Sequence, residues 1–157
     1  MTSMPRFDHV GITVVDLDGA TSFFESIGLE VEGRSSIEGA FIDTVTGIPG
    51  SRTEIVMMKT PDAHARVELC RYVHPDAAPG DPAAMANVLG LRNVCFEVED
   101  LPAALDSVRA EGYGLVGDVG VYEDAWRMAY VRGPDGIIVS LSDRVGAARH
   151  DPDARPS

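Results

Sequence analysis

The chain has 157 residues, of which 45% are hydrophobic, and its formal net charge is −12 at pH 7. This length supports one domain with a substantial core, and the acidic balance disfavours binding to the phosphate backbone of nucleic acids. No segment approaches the roughly 20 apolar residues of a membrane helix, and the first residues lack the apolar core of a secretory signal. We therefore expect a soluble, cytoplasmic protein.

An internal repeat with an offset of 84 residues organises the chain. Repeats of this kind indicate that one supersecondary unit occurs more than once. The matching positions fall where strands and helices begin or end: Val10 and Val94, Val14 and Val98, Asp16 and Asp100, Leu17 and Leu101, Ala20 and Ala104, Gly28 and Gly112, Gly33 and Gly117.

The first copy begins with a strand in which Val10, Ile12 and Val14 face one side, while His9, Gly11 and Thr13 face the other. Asp16 is suited to cap a helix over about Leu17–Ile27, and Gly28 is suited to end it. Further strands are predicted at about 29–36, 52–60 and 66–73. Residues 39–47 form either a short helix or an irregular excursion.

The second copy repeats this order after a proline-containing linker at 74–90. In its first strand, at 93–98, Val94, Phe96 and Val98 face one side and Asn93, Cys95 and Glu97 face the other. A helix at about 101–111 and strands at 114–121, 126–132 and 137–142 follow. The tight turn predicted at Gly133–Gly136 makes the last two strands a hairpin. The chain is thus predicted as a single domain, 1–145, with modules at 6–73 and 91–143, followed by a disordered tail at 146–157.

The segments FDHVGITVVDL, LRNVCFEVEDL and GPDGIIVSL resemble the vicinal oxygen chelate superfamily. That superfamily includes glyoxalases, methylmalonyl-CoA epimerases, extradiol dioxygenases, fosfomycin-resistance enzymes and bleomycin-binding proteins. The resemblance covers about residues 6–143. It implies an α+β fold in which two βαβββ modules form a U-shaped mixed sheet with a concave ligand cup.

The resemblance also implies four metal-ligand positions, which fall on His9, Glu68, Asn93 and Ser140. Asn93 stands where the family usually has histidine, and Ser140 stands where it usually has glutamate. Their neutral oxygens are weaker donors than the imidazole, thiolate and carboxylate groups of zinc, nickel or iron sites. We therefore expect no cofactor. The alternative is a divalent metal held by His9 and Glu68, with substrate oxygens completing its coordination shell.

The candidate catalytic residues are His9 and Glu68. The alternative is that His9 is a hydrogen-bonded structural histidine and that Glu68 is a carboxylate paired with an arginine. The candidate substrate-binding residues are polar or apolar groups expected on the cup face: Asn93, Ser140, Tyr72, Cys95, Trp126, Met128 and Tyr130. If the face that carries Trp126 is convex, that residue and its neighbours would pack against helices. The two cysteines form no disulfide framework and are expected to be reduced.

The leading interpretation is an isomerase or lyase that acts on an oxygenated, fairly apolar metabolite with little or no metal. His9 and Glu68 would be its acid–base pair. The alternatives are a non-enzymatic protein that sequesters an antibiotic or metabolite, and a weak divalent-metal enzyme. The expected partner is a small molecule, with no nucleic acid and no membrane. An exposed sheet edge after Val73 or Ser142 would favour a homodimer.

Overall fold

The computed structural model describes residues 4–146 and contains two compact units, one ending at Asp81 and the other beginning at Pro82. The elements of the first unit are β1 Val10–Thr13, α1 Leu17–Ser26, β2 Glu30–Glu38, α2 Ala40–Thr46, β3 Arg52–Lys59 and β4 Arg66–His74. Those of the second are β5 Asn93–Glu97, α3 Leu101–Ala110, β6 Gly114–Leu115, β7 Gly120–Tyr122, β8 Trp126–Arg132 and β9 Ile138–Arg144. The predicted α+β class with two βαβββ modules is confirmed. Apart from Gly146, the predicted tail lies outside the described residues.

Aspartate caps start the two longer helices, as predicted. The Asp16 carboxylate accepts a hydrogen bond from the backbone N–H of Gly19 at 3.0 Å, and Asp100 accepts one from Ala103 at 3.0 Å. Helix α3 consequently begins and ends 84 residues after α1. Within residues 4–146, no helix is both long enough and apolar enough to cross a membrane.

The first sheet has the strand order β1-β4-β3-β2, in which β1 and β4 are parallel and the other pairs are antiparallel. Its helix-facing side packs with α1, and the fully buried side chains there are Phe23, Phe24, Val56, Met58 and Leu69. Alternation along β4 places Glu68, Cys70 and Tyr72 on the opposite face. The ambiguous segment at 39–47 forms the short helix α2.

The second sheet has the strand order β5-β9-β8-β6, and β7 also pairs with β8. Its core packs α3 against the sheet through Leu101, Leu105, Val108, Val131 and Leu141. The strand predicted at 114–121 is divided into β6 and β7. Gly117 and Asp118 lie in the break between the two short strands, and both residue types are poor strand formers.

The strands that contain Val73 and Ser142 lie inside their sheets. Strand β4 has β1 and β3 as neighbours, and β9 has β5 and β8. Strand β4 is paired on both sides from Val67 to Cys70, and β9 is paired on both sides from Ile138 to Ser142, so neither is an edge strand over that length. The homodimer itself stays a prediction, which light scattering would check.

Arg132 holds the start of the second unit against the turn between β8 and β9. Its Nη1 donates hydrogen bonds to the carbonyl oxygens of Pro82 and Ala84, each at 3.0 Å, and of Gly136 at 3.1 Å. Gly136 has a φ of +79°, and a Cβ atom at this position would overlap the backbone of Pro82. The turn therefore requires a glycine for both backbone conformation and space.

Candidate functional site

His9 and Glu68 come together at the end of the first sheet where β1 begins. His9 directly precedes β1, and Glu68 lies in the parallel neighbour β4, opposite Gly11. The distance from His9 Nε2 to Glu68 Oε2 is 3.6 Å. The two side chains are 34% and 26% exposed. The predicted catalytic residues are thus adjacent and partly open to solvent.

A second carboxylate, that of Asp8, contacts the other side of the His9 ring. Asp8 Oδ2 lies 2.7 Å from His9 Nδ1. Sequence reasoning missed Asp8, because consecutive residues of a strand point to opposite faces. Both residues precede the first residue of β1, so that alternation does not apply to them. The only signal in the sequence is an acid next to a histidine, which is too common to predict a contact.

Neighbouring arginines add positive charge beside Asp8. The pKa of Asp8 is lowered from its ordinary value, chiefly by its hydrogen bond to His9, with further contributions from the charges of Arg66 and Arg6. Arg66 itself makes two hydrogen bonds to Glu32, at 2.8 and 3.0 Å. Asp8 is therefore ionised at neutral pH and can only accept a hydrogen bond.

Glu68 shares its face of β4 with Cys70 and Tyr72, as the alternation predicts. Burial raises the pKa of the Cys70 thiol, and the negative charge of Glu68 raises it further. Tyr72 lines an open groove of about 400 Å³ whose other lining residues are Val14, Val15, Arg71, Val73, Asp76 and Ala77. Met57 lies opposite Glu68 on β3. The nearest neighbours of the carboxylate on its own sheet are thus Met57 and Cys70, with Arg66 two residues away on the same face of β4.

In the second unit, Asn93 and Ser140 contact each other. Asn93 Nδ2 donates a hydrogen bond to Ser140 Oγ at 2.8 Å, and Ser140 is only 1% exposed. Cys95, which is exposed, lies beside Ser140 in the β5–β9 register, and Tyr130 lies beside it in the β8–β9 register. The two residues at the substituted family positions therefore satisfy part of each other's hydrogen-bonding capacity.

Trp126, Met128 and Tyr130 lie on the face of β8 that points away from α3. The alternating residues Ala129 and Val131 are buried on the helix side. The three side chains therefore do not pack against α3.

Arg144, which sequence reasoning missed, lies with its guanidinium 4.6 Å from the centroid of the Trp126 ring. Its Nε is 3.4 Å from Glu97 Oε1, so an ion pair covers part of the indole. No pattern in the sequence distinguishes this arginine from a solvated one.

Comparison with known proteins identifies the family. Residues 8–130 match the Glyoxalase/Bleomycin resistance protein/Dioxygenase superfamily. A glyoxalase family protein from Bacillus cereus is 41% identical, with a TM-score of 0.88 over 92% of this chain and 97% of that chain. No curated protein matches the sequence. The chain belongs to the glyoxalase/bleomycin resistance/dioxygenase superfamily, which agrees with the resemblance found in its motifs.

More distant solved structures share the fold. A glyoxylase/bleomycin resistance protein/dioxygenase domain from Frankia is 18% identical, with a TM-score of 0.61 over 94% of this chain and 98% of that chain. A glyoxalase I mutant from Zea mays is 17% identical, with a TM-score of 0.61 over 86% of this chain and 44% of that chain. The same architecture therefore occurs with very different sequences, and the reaction must be argued from the site.

The side chains at the family's metal positions do not fit a strong transition-metal site. Across residues 4–146, no three His, Cys, Asp or Glu side chains are grouped so that they could hold one ion. His9 and Glu68 supply one imidazole and one carboxylate, whereas Asn93 and Ser140 are neutral and bonded to each other. Zinc sites in proteins usually have at least three strong ligands. The donor set favours chemistry carried by the side chains themselves.

Proposed function

We propose that this chain is an enzyme in which His9 and Glu68 act as an acid–base pair on a small oxygenated metabolite, catalysing an isomerase or lyase reaction. The observation that supports this proposal is the 3.6 Å separation between His9 Nε2 and Glu68 Oε2, with both side chains partly exposed. Two titratable groups at this distance can act on neighbouring atoms of one bound molecule.

Each step of this chemistry moves a proton between the substrate and one of the two side chains. The Glu68 carboxylate takes a proton from a carbon next to a carbonyl group, and the protonated His9 ring donates a proton to the carbonyl oxygen, which gives an enol. For an α-hydroxyketone, isomerisation follows when Glu68 returns its proton to the former carbonyl carbon, while His9 takes the hydroxyl proton of the neighbouring carbon and a new carbonyl group forms there. In a lyase reaction, Glu68 takes the same proton, and a group on the next carbon leaves with the proton of His9.

The surroundings of the pair favour a fairly apolar substrate. Met57 and Cys70 flank Glu68 on the same face of the sheet. An apolar lining with few polar groups is typical of pockets that bind small metabolites. The proposed substrate therefore combines one carbonyl group with a hydrocarbon portion.

The test is exchange of carbon-bound protons in D₂O, followed by NMR over a panel of α-hydroxyketones, 2-oxo acids and β-substituted ketones. Glu68→Gln should slow exchange and turnover at least about 100-fold, because general-base catalysis contributes that much. The matched control is Glu54→Gln, which alters a half-exposed carboxylate on the other face of the same sheet. Undiminished exchange in a folded Glu68→Gln protein would defeat the proposal.

A metal-dependent mechanism predicts a different result in the same assay. Protein purified without chelator would then contain a stoichiometric transition metal, and chelation would abolish turnover. The acid–base mechanism predicts the same turnover before and after chelation. The second outcome is expected, because His9 and Glu68 alone make a weak site.

Sequestration of a small molecule is the second candidate function. It is favoured by the partly exposed face of β8, where Met128 is 43% exposed beside Trp126 and Tyr130. Trp126 is the only tryptophan of the chain, so its fluorescence reports ligand binding there directly. Quenching by a ligand that is recovered unchanged after long incubation, without proton exchange, would favour this function over the enzymatic one.

A further inference from the structure

We infer that Asp8 is a positioning residue that fixes the tautomer of His9, so that the unprotonated Nε2 faces Glu68 and any bound molecule. The inference rests on the proposed function only for its effect on turnover. The tautomer itself is a property of the free protein.

The two carboxylates beside the ring compete for its single proton in the neutral state. Asp8 Oδ2 lies 2.7 Å from Nδ1, whereas Glu68 Oε2 lies 3.6 Å from Nε2. The first distance is that of a charge-assisted hydrogen bond, and the second is too long for a hydrogen bond. Because an ionised carboxylate can only accept, the 2.7 Å contact requires the hydrogen to be on Nδ1.

This arrangement determines what Nε2 can do. With the hydrogen on Nδ1, Nε2 carries a lone pair that accepts a proton or a hydroxyl hydrogen from a bound molecule. If Asp8 is removed, Glu68 is the carboxylate that remains within 4 Å of the ring among residues 4–146. It would draw the hydrogen to Nε2, and the neutral ring could then no longer take a proton back from the substrate through that nitrogen in the second step of the proposed reaction.

Asp8 is itself maintained as an anion by its surroundings. Arg66 and Arg6 place positive charge near its carboxylate. Arg66 is held in place by its two hydrogen bonds to Glu32. Arg66 is therefore a fixed positive charge near the contact between Asp8 and His9.

The test is ¹⁵N NMR of histidine-labelled protein without substrate, at about two pH units above the ordinary histidine pKa. The His9 signals are assigned by their loss in His9→Gln, and the exposed His64 is the internal reference. In the unaltered protein, Nε2 should resonate far downfield, as an unprotonated ring nitrogen does. Asp8→Ala should reverse which nitrogen is downfield, whereas Asp8→Asn should retain the original pattern because its amide oxygen still accepts.

Asp18→Ala is the matched control, because Asp18 is an exposed acid of the same unit that pairs with Arg34. It should leave the His9 signals unchanged. A hydrogen on Nε2 in the unaltered protein, or an unchanged pattern in a folded Asp8→Ala variant, would overturn the inference.

Kinetics provide the second readout once a substrate is found. Asp8→Ala should lower kcat at least several-fold with little change in KM, and Asp8→Asn should recover most of the loss. If the unaltered protein has its hydrogen on Nδ1 but Glu68→Gln keeps full turnover, the proposed function is wrong and the tautomer assignment holds. If the unaltered protein has its hydrogen on Nε2 and Glu68→Gln loses turnover, the tautomer assignment is wrong and the proposed function holds.

Discussion

Asp143 lies directly opposite Arg127 across strands β9 and β8, and its carboxylate is almost wholly buried. Arg127 donates from Nε at 2.8 Å and also from Nη2, and the backbone N–H of Leu101 donates to the same carboxylate at 2.9 Å. One side chain therefore connects two strands to the first residue of helix α3.

Asp143→Ala should lower the free energy of unfolding by about 2 kcal/mol, because the buried N–H of Leu101 would lose its acceptor. Urea denaturation measures this change. Asp106→Ala is the control, since Asp106 makes an exposed ion pair with Arg109 within α3 and such pairs contribute little. Equal losses in the two variants would contradict the structural role of Asp143.

The same contact predicts how stability depends on pH. The pKa of Asp143 is lowered from its ordinary value of 3.8, chiefly by the hydrogen bond from Arg127 and also by that from Leu101. A lowered folded-state pKa contributes stability that is complete above the unfolded value and is lost as pH falls through the folded value. We expect Asp143→Asn to lose less stability than the unaltered protein between about pH 5 and pH 2. Parallel plots of the free energy of unfolding against pH for the two proteins would contradict this expectation.

Gly136 should be the least replaceable of three glycines in the second unit. Gly136→Ala introduces a Cβ that overlaps Pro82 at a φ of +79°, whereas Gly112→Ala has the same kind of strain, at +89°, in open space. Gly117→Ala has neither problem. Thermal denaturation should show little change for Gly117→Ala, a cost of about 1 kcal/mol for Gly112→Ala and a larger cost for Gly136→Ala. An equal cost at Gly112 and Gly136 would mean that Pro82 moves freely.

Thiol labelling should report the charge of Glu68. Cys95 is exposed, whereas burial and the neighbouring Glu68 raise the pKa of Cys70, so iodoacetamide should label Cys95 first. In a Cys95→Ser background, where Cys70 is the only thiol, Glu68→Gln should increase the labelling rate of Cys70 several-fold. Glu54→Gln, on the other face of the sheet, should leave it unchanged. An unchanged rate in both variants would contradict an electrostatic contact between Glu68 and Cys70.

Local chemistry explains why the element order was predictable. Asp16 and Asp100 each accept from a backbone N–H three residues later, an interaction that needs no distant partner. Strand alternation likewise predicted that Glu68, Cys70 and Tyr72 share a face. Local signals were weaker between 114 and 121, where the predicted strand is interrupted around Gly117 and Asp118.

The sequence by itself determined the repeat and the two βαβββ modules, because strand periodicity and helix caps depend on residues that are close together in the chain. The motifs that resemble the family singled out His9 and Glu68 as a candidate pair. Tertiary structure decided that Asp8 contacts His9, that Asn93 bonds to Ser140 and that Asp143 joins Arg127 to α3. These contacts depend on strand register and side-chain rotamers. Both are set by packing between segments that lie far apart in the chain, or, for Asp8 and His9, by the point at which β1 begins.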